Sequence, residues 1–237
     1  MERQAPMQIL ETSSLGLRSA RLTFRKASSA TSVTLFPMVH VGESEFFREA
    51  YQDAFSHDVV LVEGVRSSIV RNLTRSYRWI DFERLGLVLQ PKTPASVTVT
   101  ERIVAADLST AEFERLWGIV PLRYRAAFFV FAPIYGIYLR LLGSREFIAR
   151  RLSLDDLPSA EEYLSWNPAL EGVNNAILHA RDRRLIECLN AELNKATGGR
   201  QRIAVVYGAM HIRAVVRELA GKGFACVDAR WHSVITL

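Results

Sequence analysis

Three short apolar runs constrain this chain more than any other feature: residues 32–40 (SVTLFPMVH), 58–63 (DVVLVE) and 203–207 (IAVVY). Each is apolar on both faces, as a strand must be when helices cover the sheet on either side. Helical patterns lie between them, at 43–56, in a charged stretch at about 66–84, and from about His211 to Ala220, where Gly221 and Gly223 end the helix. Strands alternating with helices predict an α/β fold, a mainly parallel central sheet with flanking helices.

The remaining pattern fits one domain over 1–237. Residues 18–26 read as an edge strand. Pro37 predicts a bulge or an early end of pairing, because proline cannot donate to a ladder. Residues 103–107 (IVAAD) read as a third strand, with Ser109 and Thr110 capping a helix through Trp117. A mostly helical insertion runs over about 109–197, broken at Pro121, Pro133, Pro158 and Pro168. Two further strands, 224–228 and 232–237, close the sheet.

Residues 1–19 carry no apolar core of a secretory signal. Cys188 and Cys226 form neither a metal-binding spacing nor a disulfide framework, which suits a reducing compartment. A cytoplasmic protein is expected. The chain is 49% hydrophobic and 23% charged, enough for a sizeable core and unlike a disordered chain. Its net charge of +5 favours anionic partners mildly. Only Lys26, Lys92, Lys195 and Lys222 of the 30 basic residues are lysines, so genome composition explains the balance as well as a nucleic-acid surface does. Nucleic acid is not expected as a partner. Arg71, Arg75 and Arg78 share a helical face near Tyr77 and Trp79, and a solvated charged face accounts for them.

Residues 126–139 (AAFFVFAPIYGIYL) hold no charge and are bracketed by Arg123, Arg125 and Arg140. As a helix they would span about 21 Å, short of a ~30 Å hydrocarbon core. The segment is either a buried core helix or lid, or a basic-flanked element making peripheral contact with a membrane interface.

Ligands of parallel α/β sheets bind beyond the carboxyl ends of the strands. Three apolar runs finish there in polar residues: at His40 before Val41 and Gly42, at Glu63 before Gly64, and through Gly208 at His211. Two imidazoles and a carboxylate are a ligand set for Zn²⁺ or a related divalent ion with a position left for water. His211 sits at a predicted helix N-terminus, where the dipole disfavours imidazolium, and a metal ligand must be neutral. Taken singly, each residue also reads as structural. His57 reads as a surface loop residue, His179 as the outer flank of a helix, and His232 as part of the last strand.

In the helix predicted over 172–196, Ile177, Leu185 and Cys188 form an apolar stripe that also contains Arg181 and Asn174. A guanidinium and an amide on a buried face need partners. Either both reach the site, with Arg181 pairing Glu63 or a substrate oxyanion, or Arg181 makes a structural salt bridge. Asp182, at the edge of the stripe, is placed to pair with a histidine of the site.

These residues resemble the TraB/GumN (TraB/PrgY/GumN) family, related to the Tiki-like metalloproteases. The matching stretches are PMVHVG (37–42), LVEG (61–64), ARD (180–182) and GAMH (208–211), in family order from about residue 32 onward. Pro37 stands where the family pattern has glycine, and no membrane anchor like that of the Tiki proteins is visible. The resemblance implies the fold of the Tiki/TraB-like and erythromycin-esterase-like superfamily. It implies metal or catalytic roles for His40, Glu63 and His211, with Arg181 in support.

The reading that results is a metal-dependent hydrolase, a metallopeptidase type, acting on a peptide or small-molecule substrate. A divalent ion (Zn, Mn, Co or Fe) on His40, His211 and Glu63 would activate water. Glu63, where not a ligand, would be the general base, and Arg181 would stabilise the oxyanion. Two alternatives stay open: a metal-free His/Glu hydrolase of esterase type, and a non-catalytic protein that sequesters a peptide or small ligand.

Overall fold

A computed structural model of the chain describes residues 7–64, 67–73, 81–91, 102–150, 154–155, 171–196 and 199–237. The first elements are β1 (Gln8–Ser13), β2 (Gly16–Arg25), β3 (Ser32–Met38), β4 (Val41–Gly42), α1 (Ser44–Ala54) and β5 (Val59–Val62). Next come α2 (Ser68–Leu73), α3 (Phe82–Leu85), β6 (Val88–Leu89), β7 (Ile103–Ala105), α4 (Thr110–Ile119), α5 (Leu122–Leu142), α6 (Arg145–Arg150) and β8 (Leu154–Asp155). The chain continues with α7 (Glu171–Asn174), a π-turn (Asn175–His179), α8 (Ala180–Lys195), β9 (Arg202–Gly208), α9 (Ala209–Gly221) and β10 (Ala225–Thr236).

The architecture is α/β with a mixed sheet. Its main path is β7-β5-β9-β3-β2-β1-β8, and β10 pairs with β2 off that path. The β7, β5, β9 and β3 ladders are parallel. Pairings of β2 with β3, β1 and β10, and of β1 with β8, are antiparallel. Following these directions, β2 and β8 run against the other strands of the sheet. All seven β3 residues are buried, as are Ile203 through Tyr207 of β9, which accounts for the unbroken apolar runs.

Helix α1 carries the chain from β3 over to β5, and α9 carries it from β9 the other way, toward β10. Right-handed crossovers in opposite directions put these helices on opposite faces. Helix α1 buries Phe46, Phe47, Ala50, Tyr51 and Ala54. Helix α9 buries Ile212, Val215, Val216 and Leu219. Each buried Phe, Ile, Val or Leu among them contributes roughly 1.5–3 kcal/mol by leaving water. Adjacent strands β3 and β9 therefore send their loops to opposite faces, and the crevice between those loops is where α/β sheets take ligands.

Several expectations are corrected. The strand expected at an edge, β2, is interior: β10 follows it from Gly16 to Arg25, while β3 and β1 share its other side. Before it lies β1, a strand the sequence reading did not include, joined to β2 by a turn that ends at Gly16, whose φ of 128° and near contact with the Ile235 carbonyl exclude a side chain. The two expected closing strands are one, β10, which absorbs its irregularities as register shifts at Cys226/Asp228 and Ser233/Ile235. Pairing of β3 with β2 does stop at Leu35, before Pro37, but pairing with β9 runs on to Met38. Of the expected charged helix at 66–84, residues 66 and 74–80, with Arg75, Arg78, Tyr77 and Trp79, lie outside the described residues, as do Pro158 and Pro168.

Ser109 caps α4 in a reciprocal capping box with Glu112. Its Phe113 and Trp117 form a small second core with Val120 and Val173. The apolar stretch 126–139 lies within α5, a continuous helix despite Pro133, and most of its large side chains are exposed. That overturns the buried-helix alternative. Among the described residues no helix is long and apolar enough to cross a membrane.

Candidate active site

At the end of β5, the Glu63 carboxylate spans two elements. Its Oε1 accepts from Arg181 Nη2 of α8 at 2.5 Å, and its Oε2 accepts from the Gly208 backbone N–H at 2.6 Å. Gly208 is also the N-cap of α9. A Cβ there would stand 3.1 Å from Glu63 Oε2 and 3.6 Å from His211 Cδ2. Glycine is required by this close approach rather than by its backbone angles.

Arg181 is shared with a second carboxylate. Asp107 follows β7, has a side chain only 2% exposed, and accepts from Arg181 Nε at 3.0 Å and from Nη2 at 2.7 Å. The backbone N–H groups of Gly64 and Leu108 donate to the same carboxylate at 3.0 and 2.8 Å. Arg181 thus staples the ends of β5 and β7 to α8 through charge-assisted bonds. Sequence reasoning did not include Asp107, although the rule that found Glu63 applies to it: a polar residue ends an apolar strand.

Burial opposes the ionised form of both acids. The Arg181 charge and hydrogen bond outweigh burial and hold Glu63 below the ordinary carboxylate range. Asp107 is lowered against its burial by the Arg181 hydrogen bond and charge and by the two backbone N–H groups. Burial works against the Arg181 charge too, and the two carboxylates override it and raise its pKa. Beneath the guanidinium lies the Tyr207 ring, 5.6 Å from its carbon. Burial pushes the Tyr207 phenol upward, and its Oη has no well-formed hydrogen bond.

His211 is in the first turn of α9 and is 5% exposed. Its Nδ1 lies 2.7 Å from Asp182 Oδ1, and its ring packs edge-on against Tyr207 at 4.9 Å. A carboxylate only accepts, so Nδ1 carries the proton and Nε2 presents its lone pair. His40 occupies the bend after β3 and is exposed. The β4–β6 ribbon begins directly after it, and its carbonyl accepts from Gln90 N–H at 2.8 Å.

The crevice therefore gathers Glu63, Arg181, Asp182 and His211, with His40 on the exposed bend that follows β3. Asn174 makes none of the described contacts with them. A π-turn separates it from Arg181, and wider turns rotate it roughly a quarter turn off the face that a straight α-helix would give. His57 is a core residue rather than a surface one. It is 4% exposed, with Nδ1 donating to the Asp53 carbonyl and Nε2 accepting from the Thr34 hydroxyl, both at 3.0 Å.

Among the described residues, no three His, Cys, Asp or Glu side chains are close enough together to hold a metal ion. Glu63, one expected ligand, is already neutralised by a guanidinium. A cavity of about 420 Å³ opens at the opposite end of the sheet, beside Ser32 and Arg202. Its Arg21 and Arg230 are paired with Asp53 and Asp228, so it reads as an ion-pair network remote from the crevice.

No known protein family, curated protein or solved structure matches this chain.

Proposed function

We propose that the chain is a hydrolase that activates water in the crevice beyond β3 and β9, on an ester or peptide substrate. The His211–Asp182 bond carries this reading, since a carboxylate that fixes one imidazole nitrogen leaves the other as a directed base. His211 Nε2 takes the proton from water as its oxygen attacks the substrate carbonyl, Asp182 stabilises the imidazolium, and the imidazolium returns that proton to the leaving alkoxide or amine as the carbonyl C–O or C–N bond breaks. Glu63, held ionised by Arg181, is a weak base and acts by stabilising the same positive charge. Arg181 is a positioning residue: it fixes Glu63 and Asp107 and so the strand ends that frame the crevice. The resemblance to the TraB/GumN family supports the hydrolytic reaction class.

A divalent metal on His40, Glu63 and His211 is the second reading. The same observation favours it, because metal-ligating histidines commonly donate their other nitrogen to a carboxylate. No step is assigned to such an ion.

Turnover of fluorogenic esters and short peptides separates these readings, measured for wild type, His211→Ala and Asp182→Asn, with and without chelator, beside elemental analysis. The expected result is activity that survives chelation and falls roughly 100-fold or more in His211→Ala. Activity lost to chelator and restored by Zn, Mn, Co or Fe selects the metal reading. Undiminished turnover in His211→Ala defeats both. Tight binding of a substrate without product would make the chain a sequestering protein.

A further inference from the structure

Helix α5 is held at its two ends and bare between them. Near its start, Phe128 packs on Trp117 with ring centroids 5.9 Å apart. Near its end, Leu139 is 5% exposed in the main core and Tyr138 meets Phe147 edge-on. Arg84 Nη2 donates there to the Arg140 and Gly143 carbonyls. Between these anchors, Phe129, Val130, Phe131, Ile134 and Tyr135 are 43–65% exposed, and Leu141 beyond them is 70% exposed. Scattered apolar side chains on a surface need no explanation, but a contiguous run along one helix marks an interaction site.

Charge identifies what covers it. From Arg115 to Arg145 the sequence holds five arginines and no acidic residue. Arg123 and Arg140, both exposed, stand at either end of the charge-free run, with Arg125 beside the first. A second copy of the chain would lay these arginines against arginines, in either helix orientation, with no carboxylate in the stretch to meet them. The charge-free run of about 21 Å is too short to span a bilayer. A helix with apolar and aromatic residues in its middle and arginines at its margins suits an anionic bilayer surface, where long basic side chains reach the headgroups.

We propose that α5 docks this protein onto an anionic lipid surface, the helix lying in the interface with Arg123, Arg125 and Arg140 at the headgroups. The docking needs no hydrolytic activity and stands apart from the crevice reading.

Co-sedimentation of the full chain with vesicles tests it, using phosphatidylcholine alone and phosphatidylcholine mixed with phosphatidylserine. The expected result is binding to the mixed vesicles, weakened by salt and much weaker on neutral ones. Replacing Arg123, Arg125 and Arg140 together by Gln should lower the affinity roughly 100-fold, about fivefold for each charge near the surface. Arg25→Gln, Arg48→Gln and Arg230→Gln together remove the same charge elsewhere and should leave binding unchanged. Phe131→Glu, an exposed site that folding does not depend on, should abolish it. Equal binding to neutral vesicles, equal loss in the control triple variant, or no binding by wild type overturns the proposal. So does a dimer that Phe131→Glu converts to monomer without any vesicle binding, which would make a second copy the occupant.

Discussion

Replacing Arg181 with methionine tests the charge arrangement at the strand ends, because it strands two carboxylates with one remaining kind of partner, backbone N–H. Arg181 donates three bonds of 2.5–3.0 Å to Glu63 and Asp107, and its side chain is 13% exposed. Removing one partner of a buried pair costs about 3–5 kcal/mol when the other charge stays uncompensated. Protonating Glu63 limits that loss. From its ordinary pKa of 4.5, the protonation costs about 1.4 kcal/mol per pH unit, hence about 3.4 kcal/mol at pH 7 and about 1.4 at pH 5.5. In the wild type the sign is opposite: both carboxyls are lowered, so their stabilisation is complete above the unfolded values and is lost only as pH falls through the folded ones. The gap between the proteins should therefore be largest at neutral pH and shrink by about 2 kcal/mol between pH 7 and 5.5. Urea unfolding of both proteins at the two pH values measures it. A gap below about 1 kcal/mol at pH 7, or one independent of pH, refutes the reasoning.

Two further outcomes follow from individual contacts. Gly208→Ala should cost about 1–3 kcal/mol in thermal unfolding, since the new methyl meets Glu63 Oε2 at 3.1 Å and must displace it from the N–H it holds. Gly64→Ala, with nothing within 4 Å of the added carbon, should be tolerated by comparison. Burial lowers the His57 pKa against the pull of the Asp53 carbonyl and charge. A lowered folded pKa means stability present above about 6.5 and lost as pH falls below it. His57→Gln should flatten the stability profile as pH falls below about 6.5, and an unchanged slope would show that another group titrates there.

How far the sequence carried this reading depended on whether a residue's neighbours are close along the chain. The buried strands were legible because burial on both faces leaves no alternation, and the polar residues ending them pointed to one rim. Arg181 was legible as a charge inside an apolar stripe. Asp107 was readable by the same logic as Glu63 but followed only a short strand. The phase of Asn174 relative to Arg181 was not legible, because one π-turn resets it without any mark in composition. His57 sits between Ser56 and Asp58, which suggest a loop, while its ring turns inward to Thr34. The apolar run in α5 looks identical whether a core or water surrounds it, so its exposure was not readable. Nor was the single strand β10: residues 229–231 fell between the two expected strands, yet β2 supplies their partners.

That long pairing of β10 with β2 has a consequence for synthesis. Arg21 and Asp228, joined across it at 3.1 Å, are 207 positions apart. At ribosomal speeds of ~5–20 residues per second, β2 emerges roughly ten to forty seconds before the strand that covers one of its sides. For that interval a nascent chain presents ten residues of open backbone, a template for pairing with any neighbouring chain. Arginines at 18, 21 and 25 lie along the waiting strand, and their like charges oppose docking of two unfinished copies before β10 arrives.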